Sequence, residues 1–294
     1  MNLTESISRG SSLQAPAAAA AACSALALTG CGSASPASSA AAASGEASGT
    51  VYKVGVVNYV DDASLNQIVA SLEARLDEAG AERGVTFNYA DYYSNAQADQ
   101  SNLNQIGADL VADDVDVIVA VATPSASTML AAVEDTDIPV IYSAVTDPVG
   151  AGFDGLPNIT GTSDALNTEA IMNLILSINP DLDQLGLLYD LGQDSSTQAI
   201  ADAKAFCDAH GISYIEKNGT NTAEVQMAVE ALAASGVKVV FTPTDNTIMT
   251  AELAIYETMI EAGIQHFTGA DSFALNGAFV GYGVDYVQLG EATA

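Results

Sequence analysis

The chain has 294 residues, 49% of them hydrophobic, enough to build one large or two medium cores. Charge is scarce and one-sided: 37 Asp+Glu stand against 7 Lys+Arg, a formal net charge of -30. That balance excludes nucleic acid as a partner, because phosphates need Lys and Arg, and it excludes electrostatic docking on anionic lipid.

Residues 1–31 read as an export signal. The apolar run from Ala17 to Leu28 is too short to span a bilayer and fits the h-region of a signal peptide. It ends in Leu28-Thr29-Gly30-Cys31, which resembles a bacterial lipobox, with Cys31 as the lipidated residue. The n-region is weak, with Arg9 opposed by Glu5. Residues 32–52 are Gly/Ser/Ala-rich and nearly uncharged, the composition of a flexible tether. The layout predicts an exported protein held on the outer face of the cell membrane.

From Lys53 the chain alternates strand and helix. Apolar runs predict strands at Lys53–Asn58, Val85–Asp91, Val117–Val121 and Pro139–Tyr142. Helical spacing predicts helices at Ala63–Arg83, Gln97–Ala112 and Ser125–Glu134. The Gly- and Pro-rich stretch Asp147–Thr162 suits a crossing between lobes, with the first lobe at 53–157 and the second at 158–279. The alternation restarts there. Helices are predicted at Asp164–Ile178, Ser195–His210, Asn221–Ser235 and Asn246–Gly263. Strands are predicted at Leu185–Tyr189, Ser213–Glu216, Val237–Phe241 and His266–Thr268. Val280–Val284 is expected to recross to the first lobe. Residues 280–294 are an incomplete return, since Ala294 falls inside a helical pattern and the C-terminus looks truncated. The predicted fold is α/β: two doubly wound, Rossmann-like lobes joined by a hinge.

With Cys23 and Cys31 in the leader, Cys207 is the remaining cysteine, on an apolar helix face, and reads as a small buried hydrophobe. His210 and His266 lie far apart in sequence. No metal site and no cofactor are expected. No GxSxG, HExxH or P-loop motif is present, so no catalytic residue is assigned.

Ligands of doubly wound sheets sit beyond the carboxyl ends of the strands. The loops there carry Asp62, Thr123, Ser125, Ser127, Thr146, Asp147, Ser195, Ser196, Asp245, Asn246 and Asp271. All are candidate ligand-binding residues, although such residues also cap helices. Helix N-termini at Ser125, Ser195 and Asn246 suit a carboxylate, while Asp147, Asp245 or Asp271 suits an ammonium. A zwitterionic amino acid meets both demands, with Tyr59 and Phe273 as candidate flanks for its side chain.

The segments ATPSAS (122–127), IPVIYSAVTDPVGAG (138–152), NITGTSD (158–164), FTPTDNTI (241–248) and GVDYVQLGE (283–291) resemble the ABC transporter substrate-binding protein family whose better-known members bind tryptophan, tyrosine or phenylalanine. The resemblance implies a type I periplasmic-binding-protein-like clamshell, with Thr123, Ser125, Thr146, Asp147, Asp245 and Asn246 lining the cleft. It implies a small-molecule ligand, an ABC permease as membrane partner, and a monomer. Two loops depart from the family pattern. Asp61-Asp62-Ala63 stands where an acidic-His-Pro sequence is common, and Gln193-Asp194-Ser195-Ser196 where Glu-Ala-Asn-Ser is common. A sensory receptor of the same fold and a cell-surface α/β enzyme are the alternative readings.

Overall fold

The computed structural model describes residues 49–294. The expected signal peptide with Cys31, and the expected tether up to residue 48, lie outside the described residues.

Two all-parallel sheets form the frame. The first contains β1 (Val51–Asn58), β2 (Thr86–Asn88), β3 (Tyr93–Asn95), β4 (Val117–Val121), β5 (Val140–Ser143) and β6 (Ile159–Thr162), in the order β2-β1-β4-β5-β6 with β3 also on β1. The second contains β7 (Gln184–Tyr189), β8 (Ser213–Asn218), β9 (Val239–Thr242), β10 (Gln265–Thr268) and β11 (Val280–Gly281), in the order β11-β10-β9-β7-β8. The two orders are equivalent. In the first sheet β1 has β2 and β3 on one side and β4 on the other, and in the second β7 has β8 on one side and β9 on the other. The strand order therefore reverses at β1/β4 and at β7/β9, where doubly wound sheets open a crevice.

The apolar runs explain the strands. Val54, Val56 and Val57 of β1 and Ile118, Val119, Ala120 and Val121 of β4 are buried on both sheet faces. Helices cover those faces. In the first lobe they are α1 (Ala63–Arg83), α2 (Gln100–Ala112) and α3 (Thr123–Ala132). In the second they are α4 (Thr168–Ile178), α5 (Asp194–His210), α6 (Thr222–Ser235), α7 (Asn246–Glu261) and the short α8 (Asp271–Leu275). Helix α1 starts because Asp62 caps it, its carboxylate accepting from the backbone N–H of Ser64 (2.8 Å) and Leu65 (3.4 Å). It stops at Gly84, whose φ of +67° provides a left-handed cap. Cys207 is buried in the second lobe, and burial raises its thiol pKa to about 11, as suits an inert core residue.

The structure departs from the sequence reading in several places. The helix expected at Asp164–Ile178 begins only at Thr168, where Asn167 caps it by accepting from the Ala170 N–H, so Asp164 lies in a crossing. Strand β1 begins at Val51, inside the expected tether, because residues 51–53 pair with β2. The strand expected at Val85–Asp91 is cut to Thr86–Asn88, because a 3-10 turn at Ala90–Tyr92 lifts the chain off the sheet before a separate strand, β3, rejoins β1. Helix α2 starts later than Gln97, since Gln97 and Ala98 have positive φ (55° and 56°). Residues 159–162, expected in the second lobe, are β6 of the first sheet, paired along β5. Finally, Val280–Gly281 does not recross: β11 pairs with β10 in the second sheet.

The return to the first lobe is made by a ninth helix, α9 (Tyr286–Thr293), which packs on α1, β5 and β6. The Thr293 hydroxyl shares hydrogen bonds with Ser143 (2.9 Å) and Thr162 (2.7 Å). Two segments thus cross between the lobes, 163–167 and 282–285. Among the described residues no helix is long and apolar enough to cross a membrane.

Candidate functional site

The carboxyl ends of both sheets face each other across one cleft. Its wall from the first lobe comes from the loops after β1 (Ser64, Leu65), β4 (Ala122, Thr123) and β5 (Ala144, Thr146). The second lobe contributes Ser195, Thr244, Asn246, Met249 and Ala270. The crossings add Asp164 and Tyr286. The shut cleft is nearly filled, with a free cavity of about 20 Å³.

The lobes are shut on each other. The Ser64 hydroxyl of α1 donates to Asp271 Oδ1 of α8 (2.5 Å) and accepts from the Ser272 N–H (3.3 Å). Gln67 Nε2 donates to Asp271 Oδ2 (3.4 Å), and the hydroxyls of Thr146 and Thr244 meet at 3.1 Å. Ser64→Ala removes the central member of this latch. It is expected to cost the closed form about 1 kcal/mol and shift the open–closed ratio of the ligand-free protein about fivefold toward open. Small-angle scattering should show a larger radius of gyration; an unchanged profile would remove the latch from the account.

Two helix N-termini dominate the polar lining. No side chain caps α3 or α5, whose N-cap positions are Ala122 and Gln193. The hydroxyls of Thr123 and Ser125 in the first turn of α3, and of Ser195 in the first turn of α5, are buried and have no partner. Ala122, which leads into α3, and Ala144, which leads from β5 to Thr146, have φ of 74° and 56°. Non-glycine residues with positive φ carry strain, and such strain clusters at binding sites.

One charged side chain lines the cleft. Asp164 is buried, its Oδ1 accepts from the Thr146 hydroxyl (2.8 Å), and burial raises its pKa to about 6. No Lys, Arg or His belongs to the lining. Tyr286 stands near Asp164, Asp271 and Asp62. Burial first, and those carboxylates second, raise its phenol pKa well above the ordinary value.

The candidate residues sort by place. Thr123, Thr146, Ser195 and Asn246 line the cleft. Ser125 lies just behind Thr123, fully buried. The remaining six do not line it. Asp62 caps α1, and burial raises its pKa. Ser127 is on the part-exposed flank of α3. Asp147 caps a rim turn, accepting from Gly150 N–H (2.9 Å). Ser196 donates to Asp245 Oδ2 (2.6 Å), and Asp245, fully buried, also accepts from Asp190 N–H (2.7 Å) and Ile248 N–H (3.0 Å). Asp245 is therefore a tie between loops, its pKa raised to about 6 by burial. Asp271 belongs to the latch. Phe273 packs edge-on against His266 in the second lobe, away from the cleft.

Asp164, Thr244, Ser64 and Tyr286 were not singled out from sequence. A strand reading of 159–162 would have placed Asp164 at a carboxyl end like the others. Nothing local marks Tyr286, which reaches the cleft only through the docking of α9.

The model of the ABC transporter substrate binding protein family matches residues 53–294. The chain belongs to this family. It is accordingly a binding protein and not an enzyme, which removes the enzyme reading. Over 242 residues this substrate-binding protein is 28% identical to the tyrosine-binding protein of Clostridioides difficile (strain R20291), covering 81% of this chain and 69% of the relative. The crystal structure of an ABC domain in complex with L-Trp from Streptococcus pneumonia is 27% identical, with a TM-score of 0.76 over 83% of this chain and 82% of that one. The ligand-free, open structure of a substrate-binding protein with adhesive properties from Clostridium difficile is 25% identical over 82% of each chain, but its TM-score is 0.59. At near-equal identity and coverage, the substrate-binding protein superposes better on the liganded neighbour, in accord with the latch seen between its lobes.

Proposed function

We propose that this substrate-binding protein captures an amino acid as its zwitterion, an aromatic one first, and delivers it to an ABC importer from a lipid anchor at Cys31. The observation that carries the reading is the set of buried, unpartnered hydroxyls on Thr123, Ser125 and Ser195, at two uncapped helix N-termini from opposite lobes. Orphan N–H groups and the helix dipole favour an anion there, and with no basic side chain in the lining, the helices are what would neutralise a ligand carboxylate. Asp164 then holds the ammonium, with Thr146 and Thr244 beside it. Leu65, Met249 and Tyr286 supply apolar walls for a side chain. The tyrosine-binding relative and the L-Trp complex favour an aromatic one. The narrowness of the shut cleft means that Leu65 and Met249 would turn aside to admit it.

Closure follows from the contacts. A ligand that touches Thr123 and Asp164 on one side and Ser195 on the other makes its full set of bonds only in the shut form, so it shifts the equilibrium to that form. The export and anchoring part rests on Leu28-Thr29-Gly30-Cys31 and the tether composition.

The test is a thermal-shift screen of the protein L-amino acids, sugars and nucleosides. L-tyrosine, L-tryptophan or L-phenylalanine at 100 times Kd should stabilise by about 2.7 kcal/mol. Their N-acetyl and methyl-ester derivatives should give no shift. Stabilisation by sugars or nucleosides alone would sink the reading, and so would equal response to an amino acid and its N-acetyl derivative.

A further inference from the structure

Outside the cleft, the second lobe holds a buried polar chain that the binding reaction does not use. His266 of β10 bridges Thr242 Oγ1 (2.9 Å, from Nε2) and Glu252 Oε1 of α7 (3.2 Å, from Nδ1). His266 is 2% exposed and Glu252 0%. With hydrogen on Nδ1, the imidazole donates to Glu252 and accepts from the Thr242 hydroxyl. The other carboxylate oxygen of Glu252, Oε2, has no partner. A buried carboxylate oxygen left without a donor is costly.

Glu252 and His266 form part of the wall of a groove between α7 and the segment that joins α8 to β11. The groove holds about 300 Å³, far more than the shut cleft. None of its lining residues lines the cleft, and none is Lys or Arg. The rest of the wall is mostly apolar, with Tyr256, Ile264, Ile260 and Phe279, of which Ile260 and Phe279 are 63% and 52% exposed. Gly277, at φ +118°, brings the chain so close to Tyr256 that a Cβ would stand 2.6 Å from its ring.

We propose that this groove is a second binding site, for a small molecule that carries a primary ammonium on an apolar body. The ammonium supplies the donor that Glu252 Oε2, buried just beneath the groove wall, lacks, and the apolar body covers Ile260 and Phe279. A metal ion is a poorer match, since a lone carboxylate beside one imidazole gives too few ligands.

Benzylamine is the probe, titrated into the purified chain and followed by amide shifts and saturation-transfer NMR. Shifts should map to α7, α8 and β11. Benzyl alcohol, which lacks the charge, should bind at least about tenfold more weakly, and Glu252→Gln should lose about the same factor. In case Glu252→Gln perturbs the fold, Ile260→Arg, on the exposed rim, should also block benzylamine while leaving the cleft's own ligand bound as before. The proposal falls if benzylamine shifts only cleft residues, if benzyl alcohol binds equally well, or if both variants bind benzylamine like the wild type.

Discussion

Asp164→Asn is expected to weaken ligand capture about 100-fold while making the empty protein more stable. Truncating one partner of a buried charged hydrogen bond costs 2–5 kcal/mol, so affinity for the amino acid should fall about 100-fold. The amide is isosteric, and its oxygen can still accept from Thr146, so the cleft keeps its shape. Stability moves the other way because the carboxyl pKa is raised by burial to about 6. A group whose folded pKa lies above its unfolded value stabilises fully below the unfolded value, and that contribution is lost as pH rises through about 6. Above that pH the ionised Asp164 costs roughly 3 kcal/mol, two pKa units at about 1.4 kcal/mol each. The asparagine removes that cost. Calorimetry at pH 7.5 should therefore show a raised Tm for the empty variant, and the difference should vanish near pH 4. In the wild type, affinity should decline on acidification through pH 6, where a proton competes with the ammonium; in the variant it should be weak and flat. A variant that binds normally would remove Asp164 from the site. This is the usual exchange of stability for function at a binding site.

The second large effect is expected far from the ligand. Gly290 of α9 lies so close to α1 that a Cβ there would overlap the Ile68 carbonyl oxygen and the Ser71 hydroxyl. These are backbone and helix-face atoms with little room to retreat. Gly290→Val should cost about 3 kcal/mol and lower Tm by about 8 °C for a body of this size. Because α9 carries Tyr286 into the cleft, its undocking should also weaken ligand binding. Hydrogen exchange should locate the loss: amides of α9 and the facing part of α1 lose protection first, while the second sheet keeps its own. An unchanged melting point would mean that α9 docks with more slack than the overlap implies.

Much of this architecture is legible in the residues. Val54–Val57 and Val117–Val121 announce buried parallel strands because no polar residue interrupts them. Helix starts follow from caps such as Asp62 and Asn221, whose side chains bond the first-turn N–H groups. The errors fall where local pattern and pairing compete. Ile159–Thr162 is short, ends a Gly/Pro-rich stretch and contains Gly161, so it reads as a link, and only the ladder to β5 makes it a strand. The site shows the same division. Thr123 and Ser195 are found by their place after strands, since helix N-termini at strand ends are a local property. Asp147, Asp245 and Asp271 have equally suitable positions, but turn, tie and latch hydrogen bonds claim them. Asp164 and Tyr286 enter through the crossings, whose path depends on how the two sheets stand together.

The crossings set an order of events. Asp164 follows directly on β6, and Tyr286 starts the helix that packs on the first lobe, so both stay with Thr123 and Thr146 when the clamshell opens. Half of the cleft is therefore preassembled on one lobe, and an incoming molecule is expected to land there before Ser195, Thr244 and Asn246 arrive over it. In stopped-flow experiments, Thr123→Ala should slow capture in its second-order phase. Ser195→Ala or Asn246→Ala should leave that phase intact and shorten the residence time.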